Sequence, residues 1–358
     1  MFGGCYRGRR VLVTGHTGFK GSWLALWLSS LGARVSGLSL DPPAQPNHWE
    51  LLQLAIDDDR RADIRDSGAI AQALATLQPE IVFHLAAQSL VRPSYADPVA
   101  TWSTNVMGTA HVLDACRQVA SLRAVVVVTS DKCYENRETQ AAYREGDALG
   151  GHDPYSASKA GAELVAASYR RSYFESATSA LVATARAGNV IGGGDWSADR
   201  LIPDLVRARA AGGTLEIRSP GAVRPWQHVL ESLSGYLLLG QHLLEGETAA
   251  ARAWNFGPAA QDACTVQAVL DKLKAHWPQI AWRVGTGEHP HEATLLQLDS
   301  SLARERLGWR PVWPLDEALA ETAHWYRAYL DDATVASRSQ LARYVQDAGD
   351  AGLAWALA

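Results

Sequence analysis

Residues 10–21 of the sequence are Arg-Val-Leu-Val-Thr-Gly-His-Thr-Gly-Phe-Lys-Gly, and a helical pattern follows them from Ser22 to Leu31. The apolar run Arg10–Thr14 is typical of a buried strand. Glycines in the turn after it permit a tight bend, remove the Cβ atoms that would block a pyrophosphate and allow close helix–sheet packing. The N–H groups at the start of the helix then favour phosphates. We therefore predict a dinucleotide site at the following residues: Gly15, Thr17, Gly18, Phe19, Lys20 and Gly21.

The second strand of this pattern, Arg34–Leu40, is followed directly by Asp41. A carboxylate at this place accepts hydrogen bonds from a ribose diol and repels a 2′-phosphate. The predicted cofactor is therefore NAD rather than NADP.

Apolar runs and helical patterns alternate through the first half of the chain. Continuous β-branched runs predict strands buried on both faces, and strands separated by helices predict a doubly wound parallel sheet. Further strands are predicted at Glu80–Leu85, Arg123–Ser130 and Ser179–Ala185, and helices at Gly68–Leu77, Val106–Ala120 and from near Ser156 to Tyr173. We predict an α/β fold, with a Rossmann-type doubly wound parallel sheet in residues 1–188. A smaller C-terminal α/β substrate-binding lobe is predicted in residues 189–358, where glycine, proline and tryptophan become frequent; the chain can cross this soft boundary more than once.

Tyr155-Ser-Ala-Ser-Lys159 follows Pro154 at the start of a predicted helix. The i, i+4 spacing places the phenol and the ammonium on one helical face. A nearby ammonium favours the phenolate, so we expect Lys159 to hold the pKa of Tyr155 below its ordinary value of about 10. Tyr155 is then a candidate base. Together with the glycine turn, the pair predicts dinucleotide-dependent hydride chemistry.

The spacing GxxGxxG followed by YxxxK resembles the extended short-chain dehydrogenase/reductase superfamily, over essentially the whole chain to about residue 330. Asp63-Ile64-Arg65-Asp66 is similar to the segment that meets the adenine ring, and His84-Leu-Ala-Ala-Gln88 to the strand end beside the nicotinamide ribose. The resemblance adds the following cofactor-binding residues to the glycine turn and Asp41: Asp63, Ile64, Leu85, Ala86, Ala87, Tyr155 and Lys159.

Ser130-Asp131-Lys132 closes the predicted strand Arg123–Ser130. Two opposed titratable groups at the end of a central strand suit acid–base chemistry, whereas the plainer interpretation is that Asp131 caps the next turn and Lys132 is solvated. Other 4,6-dehydratases of the superfamily carry Asp then Glu here, and the Asp-Lys pair resembles the CDP-glucose 4,6-dehydratase branch. The resemblance implies catalytic roles for Ser130, Asp131, Lys132, Tyr155 and Lys159. The alternative is a 4,6-dehydratase or 4-epimerase for a UDP-, dTDP- or GDP-linked sugar.

Downstream segments extend the resemblance towards a nucleotide-sugar substrate. Asn189, within Arg186–Trp196, is implied at the pyrophosphate. Arg224, in Arg224-Pro-Trp-Gln-His228, is implied at the diphosphate, where a guanidinium makes paired hydrogen bonds. The predicted substrate contacts are Gln88, Arg92, Ser130, Asn189, Arg200, Arg224 and His291.

Composition excludes several other classes of function. The net charge of −5 argues against a general nucleic-acid binder. Apolar runs are too short for a signal peptide or a membrane span, and four scattered cysteines suit the reducing cytoplasm. The eleven histidines show no zinc-ligand spacing, so no metal is expected. A non-enzymatic regulator would be expected to lack Tyr155 or Lys159. By resemblance, the helices Val106–Ala120 and Ser156–Tyr173 would form a homodimer or homotetramer.

Overall fold

The structure is a computed structural model that describes residues 1–42, 44–176, 179–285 and 295–357. Its strands are β1 Arg10–Thr14, β2 Arg34–Ser39, β3 Asp58–Arg61, β4 Ile81–His84, β5 Ala124–Val128, β6 Leu181–Ala187, β7 Val190–Ile191, β8 Leu215–Ile217, β9 Val223–Pro225, β10 Gln227–His228, β11 Ala253–Phe256, β12 Ala263–Thr265 and β13 Trp282–Val284. Its helices are α1 Phe19–Ser30, α2 His48–Leu52, α3 Ser67–Leu77, α4 Val91–Ala96, α5 Pro98–Trp102, α6 Gly108–Cys116, α7 Pro154–Tyr173, α8 Leu201–Ala210, α9 Val229–Leu244, α10 Val266–His276, α11 Ser301–Arg306, α12 Leu315–Asp332, α13 Ser337–Asp350 and α14 Ala354–Leu357.

The described residues form a seven-stranded sheet in the order β3-β2-β1-β4-β5-β6-β11, and every neighbouring pair is parallel. This confirms the predicted Rossmann-type doubly wound α/β fold. The strand order reverses between β1 and β4, which are neighbours in the sheet. Open sheets of this kind bind ligands at such a reversal, outside the carboxyl ends of the strands.

Helices cover both faces of this sheet, which explains the continuous apolar runs in its strands. Alternate side chains of β1 separate into two cores: Val11 and Val13 pack with α1 and α9, and Leu12 packs with α3, α6 and α7. Neither face meets water, so no polar alternation is required. The sheet is therefore a rigid platform for the residues that follow its carboxyl ends.

Smaller pieces of sheet and the remaining helices make up much of the second half of the chain. β7 pairs with β10 and β8 with β13 in parallel, while β9 pairs with β12 in antiparallel. β11 and α9, however, belong to the large sheet and its cover. Elements from both sides of residue 188 thus build the sheet, and the division into a cofactor lobe and a substrate lobe stays a prediction. Among the described residues, no helix is long and apolar enough to cross a membrane.

Candidate active site

The glycine turn lies between β1 and α1, as the sequence predicts. Gly15 has a φ of +76°, and a Cβ placed there would lie 2.7 Å from the backbone nitrogen of Ala86. A Cβ on Gly21 would lie 2.1 Å from the carbonyl oxygen of Gly15. Gly18 precedes α1 and offers no side-chain cap to its N–H groups. The backbone here is packed as closely as a pyrophosphate cradle at a helix N-terminus requires.

A cavity of about 630 Å³ runs from this turn across the carboxyl ends of the central strands. We call the part around the glycine turn, Asp41 and Asp63–Ile64 the cofactor end, and the part around Ser130–Lys132, Tyr155 and Lys159 the catalytic end. All of the predicted cofactor residues line it: Gly15, Thr17, Gly18, Phe19, Lys20, Gly21, Asp41, Asp63, Ile64, Leu85, Ala86, Ala87, Tyr155 and Lys159. The close glycine packing and the lining together fit a dinucleotide.

Asp41 follows β2 at the rim of the cofactor end, and 86% of its side chain is exposed. Its carboxylate accepts a hydrogen bond of 2.9 Å from Nε of Arg61, which also pairs with Asp59. Arg61 was not predicted as a site residue, because the charged segment Asp58–Arg61 lacks the apolar pattern of a strand. Asp41 is thus held in place at the point where a ribose diol would meet it.

The catalytic end brings together residues from a strand end and from a helix. Ser130 and Asp131 follow β5, while Tyr155 and Lys159 occupy the first turns of α7. α7 begins at Pro154 because Asp153 caps it, accepting a hydrogen bond from the Ser156 backbone nitrogen at 2.9 Å. Ser130, Asp131, Tyr155 and Lys159 are all buried, with at most 8% of each residue exposed.

Asp131 has the environment of a proton donor. Its Oδ1 accepts a hydrogen bond of 2.9 Å from the Ser130 hydroxyl, and Oδ2 is buried without a partner among the described residues. Burial raises the pKa of this carboxyl above its ordinary value, although Lys132, Arg224 and Lys20 oppose the shift. The turn after β5 is capped by Ser130, whose hydroxyl accepts from the backbone nitrogen of Lys132 at 3.2 Å. The interpretation of Asp131 as the cap of that turn is therefore wrong.

The expected lowering of the Tyr155 pKa by Lys159 is not met. Burial raises the pKa of Tyr155 to about 12, and the Ser130 hydroxyl only partly offsets the rise. Burial also lowers the pKa of Lys159 to about 8, and its Nζ approaches the carbonyl oxygen of Val128 at 3.5 Å. Both charged forms lose hydration in this enclosed place, and this loss is the largest influence on each pKa.

Lys132 lines the cavity beside Asp131 but is only partly buried. Lys20, by contrast, sends its ammonium towards Tyr236 at the catalytic end, with an Nζ to hydroxyl distance of 3.1 Å. Sequence reasoning placed Lys20 with the phosphates and missed this contact.

Most of the predicted substrate residues line the same cavity. Arg92, Asn189, Arg200 and Arg224 all line it. Gln88 does not: its amide oxygen and nitrogen bond the backbone of Leu90 within its own loop, so the geometry gives its predicted substrate contact no support. His291 lies outside the described residues.

Two acidic residues of the cavity lining, Asp195 and Asp199, were not predicted as site residues. Asp199 accepts a hydrogen bond from Arg92 at 2.9 Å and approaches Arg218 at 3.4 Å. Nearby, Arg200 lies 3.3 Å from Asp195 and 3.3 Å from the Ser89 hydroxyl. These arginines come from separate segments, so only the folded chain shows that they face one cavity.

Comparison with known proteins places the chain among enzymes of nucleotide sugars. The family model described as GDP-mannose 4,6 dehydratase matches residues 12–322. The CDP-glucose 4,6-dehydratase of Salmonella typhimurium is 47% identical over 348 residues, covering 95% of this chain and 97% of the relative.

Solved structures agree with this placement. A dTDP-glucose 4,6-dehydratase from Streptomyces venezuelae, solved with NAD bound, is 30% identical with a TM-score of 0.75, covering 89% of this chain and 97% of that one. The UDP-glucose 4-epimerase of Thermotoga maritima covers 89% of this chain and 99% of its own with a TM-score of 0.76, and at 21% identity it shows the shared fold alone.

Proposed function

The chain belongs to the GDP-mannose 4,6 dehydratase family, and we propose that it converts CDP-D-glucose to CDP-4-keto-6-deoxy-D-glucose and water with NAD as cofactor. The observation that carries this proposal is the buried carboxyl of Asp131. Its Oδ1 accepts a hydrogen bond from Ser130, and its Oδ2 has no partner in the described part of the chain. A 4-epimerase moves only a hydride and has no task for such an acid. The relative of 47% identity is named for CDP-glucose, which supports the choice of nucleotide.

The first step is oxidation at C4 of the glucose ring. Ser130 orients the C4 hydroxyl, and Tyr155, next to it, takes the hydroxyl proton. Lys159, one turn further along α7, holds the cofactor ribose and keeps a positive charge near the phenol. The glycine turn, Asp41 and Lys159 would hold NAD, which would supply the hydride acceptor for C4 and the hydride donor for C6, and whose cationic ring would favour the phenolate form of Tyr155.

The second step is loss of water across C5 and C6. The 4-keto group makes the C5 proton acidic, and Lys132 is proposed to take it. Burial raises the pKa of Asp131, which supports the proposal that this carboxyl donates a proton to the departing C6 hydroxyl. Hydride return to C6 and proton return to C5 complete the reaction with no net redox change.

The nucleotide diphosphate is proposed to lie against Asn189, Arg200 and Arg224, which line the cavity. Guanidinium groups suit a diphosphate because they make paired, charge-assisted hydrogen bonds. Arg92, Gln88 and His291 keep their predicted substrate roles as proposals.

A second copy of the chain is proposed to cover the outer face of α5–α7, giving a homodimer or homotetramer in the cytoplasm. Val99, Trp102 and Met107 are exposed there by 76%, 42% and 50%, and Leu164 on α7 by 61%. Large apolar side chains gathered in this way mark protein–protein contacts. Leu164→Glu should reduce the molar mass measured by light scattering to that of a monomer.

The experiment that tests the activity is incubation with NAD and one nucleotide sugar at a time: CDP-glucose, dTDP-glucose, UDP-glucose or GDP-mannose. The 4-keto product is followed by its absorbance in alkali. We expect turnover of CDP-glucose at least tenfold faster than of the others. Turnover of another sugar with none of CDP-glucose would overturn the substrate, and epimerised product without water loss would overturn the reaction.

A further inference from the structure

Lys20 is a cation that the proposed reaction does not use. It lies in the first turn of α1 and lines the cavity. Its Nζ donates a hydrogen bond of 3.1 Å to the Tyr236 hydroxyl and lies 5.6 Å from the centre of that ring. Tyr236 is fully buried on α9. The lysine is therefore fixed at its tip, unlike a surface lysine that extends into water.

The charge of Lys20 is coupled to the catalytic end. Burial lowers the pKa of Lys20 to about 7, Arg200 and Lys159 add to the lowering, and Asp131 opposes it. Tyr236, which holds the ammonium, is itself under the influence of Asp131 and Tyr155. Near neutral pH, Lys20 is thus divided between its charged and neutral forms.

Three basic side chains from different elements influence Asp131. Lys132 adjoins it in the turn after β5, Arg224 comes from β9, and Lys20 comes from α1. The proposed reaction employs Lys132 at C5 and Arg224 at the diphosphate. Lys20 has no assigned role in the reaction, and its ammonium is hydrogen-bonded to Tyr236.

We propose that Lys20 is a positioning residue of the elimination step, held by Tyr236 so that its charge sets the protonation of Asp131. The inference rests on the proposed function, because it takes Asp131 as the acid. Charged Lys20 stabilises the carboxylate that is left when the O–H bond of Asp131 and the C6–O bond have broken and water has formed.

The test is the pH profile of CDP-glucose dehydration in wild type, Lys20→Arg, Lys20→Met and Tyr236→Phe. Activity is lost at high pH as Asp131 ionises. A permanent cation in Lys20→Arg should move this basic limb down, and an uncharged side chain in Lys20→Met should move it up, each by about one pH unit. Tyr236→Phe, which keeps the ring but frees the ammonium, should move the limb in the direction of Lys20→Met.

Lys272→Met is the matched control, because it removes an exposed cation on α10 outside the cavity lining, and its basic limb should coincide with that of the wild type. NAD affinity is measured by calorimetry for every variant. Coincident basic limbs, a reversed order, or a loss of NAD affinity without any shift of the limb would each overturn the role of Lys20. An inactive wild type would instead overturn the proposed function, so the two failures are distinguishable.

Discussion

The cofactor end of the cavity is built mainly from backbone atoms, whereas the catalytic end is built from side chains. At the cofactor end, backbone atoms come so close that glycine is required, and the turn occupies consecutive residues 15–21. At the catalytic end, side chains from β5, α1, α7 and β9 meet and adjust one another's charge. The first end is therefore local in sequence and rigid. The second depends on long-range placement, and its protonation states belong to the group rather than to any one residue.

The largest effect that separates the two ends is expected from Asp131→Asn. The amide keeps the size of the side chain and can still accept from Ser130, but it has no acidic proton. Dehydration should fall by about 1,000-fold, while the NAD dissociation constant stays within about twofold of the wild-type value. Product absorbance in alkali and calorimetry measure the two quantities. Dehydration near the wild-type rate would show that another group is the acid.

The substitution Gly15→Ala is expected to disrupt the cofactor end of the cavity. The new methyl group would lie 2.7 Å from the Ala86 nitrogen, at a φ of +76°. Gly8→Ala is the matched control, since Gly8 has a φ of +71° but no described atom within 4 Å of the added carbon.

Both glycine variants should lose about 1–2 kcal/mol of unfolding free energy to the backbone conformation. Gly15→Ala should in addition bind NAD about 50-fold more weakly, because the cradle must open by more than a few tenths of an ångström. Chemical denaturation and calorimetry report the two effects. Equal NAD affinities in the two variants would show that the close packing is not what binds the cofactor.

Stability should depend on pH through the buried histidines, three of which have strongly lowered pKa values. Burial lowers the pKa of His48, His84 and His228 from 6.5 to about 3. Above pH 6.5 these rings are neutral in both states and contribute no pH dependence. Between pH 6.5 and 3 the unfolded chain takes up protons that the folded chain refuses, so the unfolding free energy should fall with pH, by up to about 1.4 kcal/mol per pH unit for each ring.

Urea denaturation at pH 7, 6, 5 and 4 measures this dependence. His84 lies beside the cavity, bonded to Thr14 and Thr109, whereas His48 lies among Ser22, Ser337 and Trp23. His48→Gln should flatten the slope by about a third. A slope that is unchanged in this variant would locate the acid sensitivity elsewhere.

The smallest effect is expected from Asp199→Asn, far from both the glycine turn and the acid. Asp199 holds Arg92 and Arg218, all three of which are partly exposed, so the stability change should stay below about 1 kcal/mol. Releasing the two guanidinium groups should lower the KM for CDP-glucose about two- to threefold without changing kcat. A raised KM would indicate that Asp199 itself holds the sugar or the base.

The cofactor end and the catalytic end also differ in how well the sequence predicts them. β1 and the glycine turn were predicted to the residue because buried apolar runs and glycines carry their own local signal. β3 was missed because Asp58-Asp59-Arg60-Arg61 is a charged segment, and it forms an edge strand only because β2 offers it a free partner. Arg61 was missed together with it.

At the catalytic end, residue types were predictable but their environments were not. Ser130, Asp131, Tyr155 and Lys159 meet as expected, yet burial reverses the expected direction of the Tyr155 pKa. Burial is a property of the whole fold and has no signature within four consecutive residues. The contact of Lys20 with Tyr236 joins residues 216 positions apart, and no periodic pattern in the sequence predicts it.

The return of the chain to the large sheet has a consequence for biosynthesis. β6 ends at residue 187, whereas α9, which covers β5 and β6, ends at residue 244 and β11, which pairs with β6, begins at residue 253. A nascent chain that has left the ribosome only as far as β6 therefore carries an uncovered apolar sheet face and an unpaired strand edge. Such surfaces promote aggregation. The fragment 1–188 should be insoluble when expressed alone, and the enzyme should complete its sheet only after most of the chain has been translated.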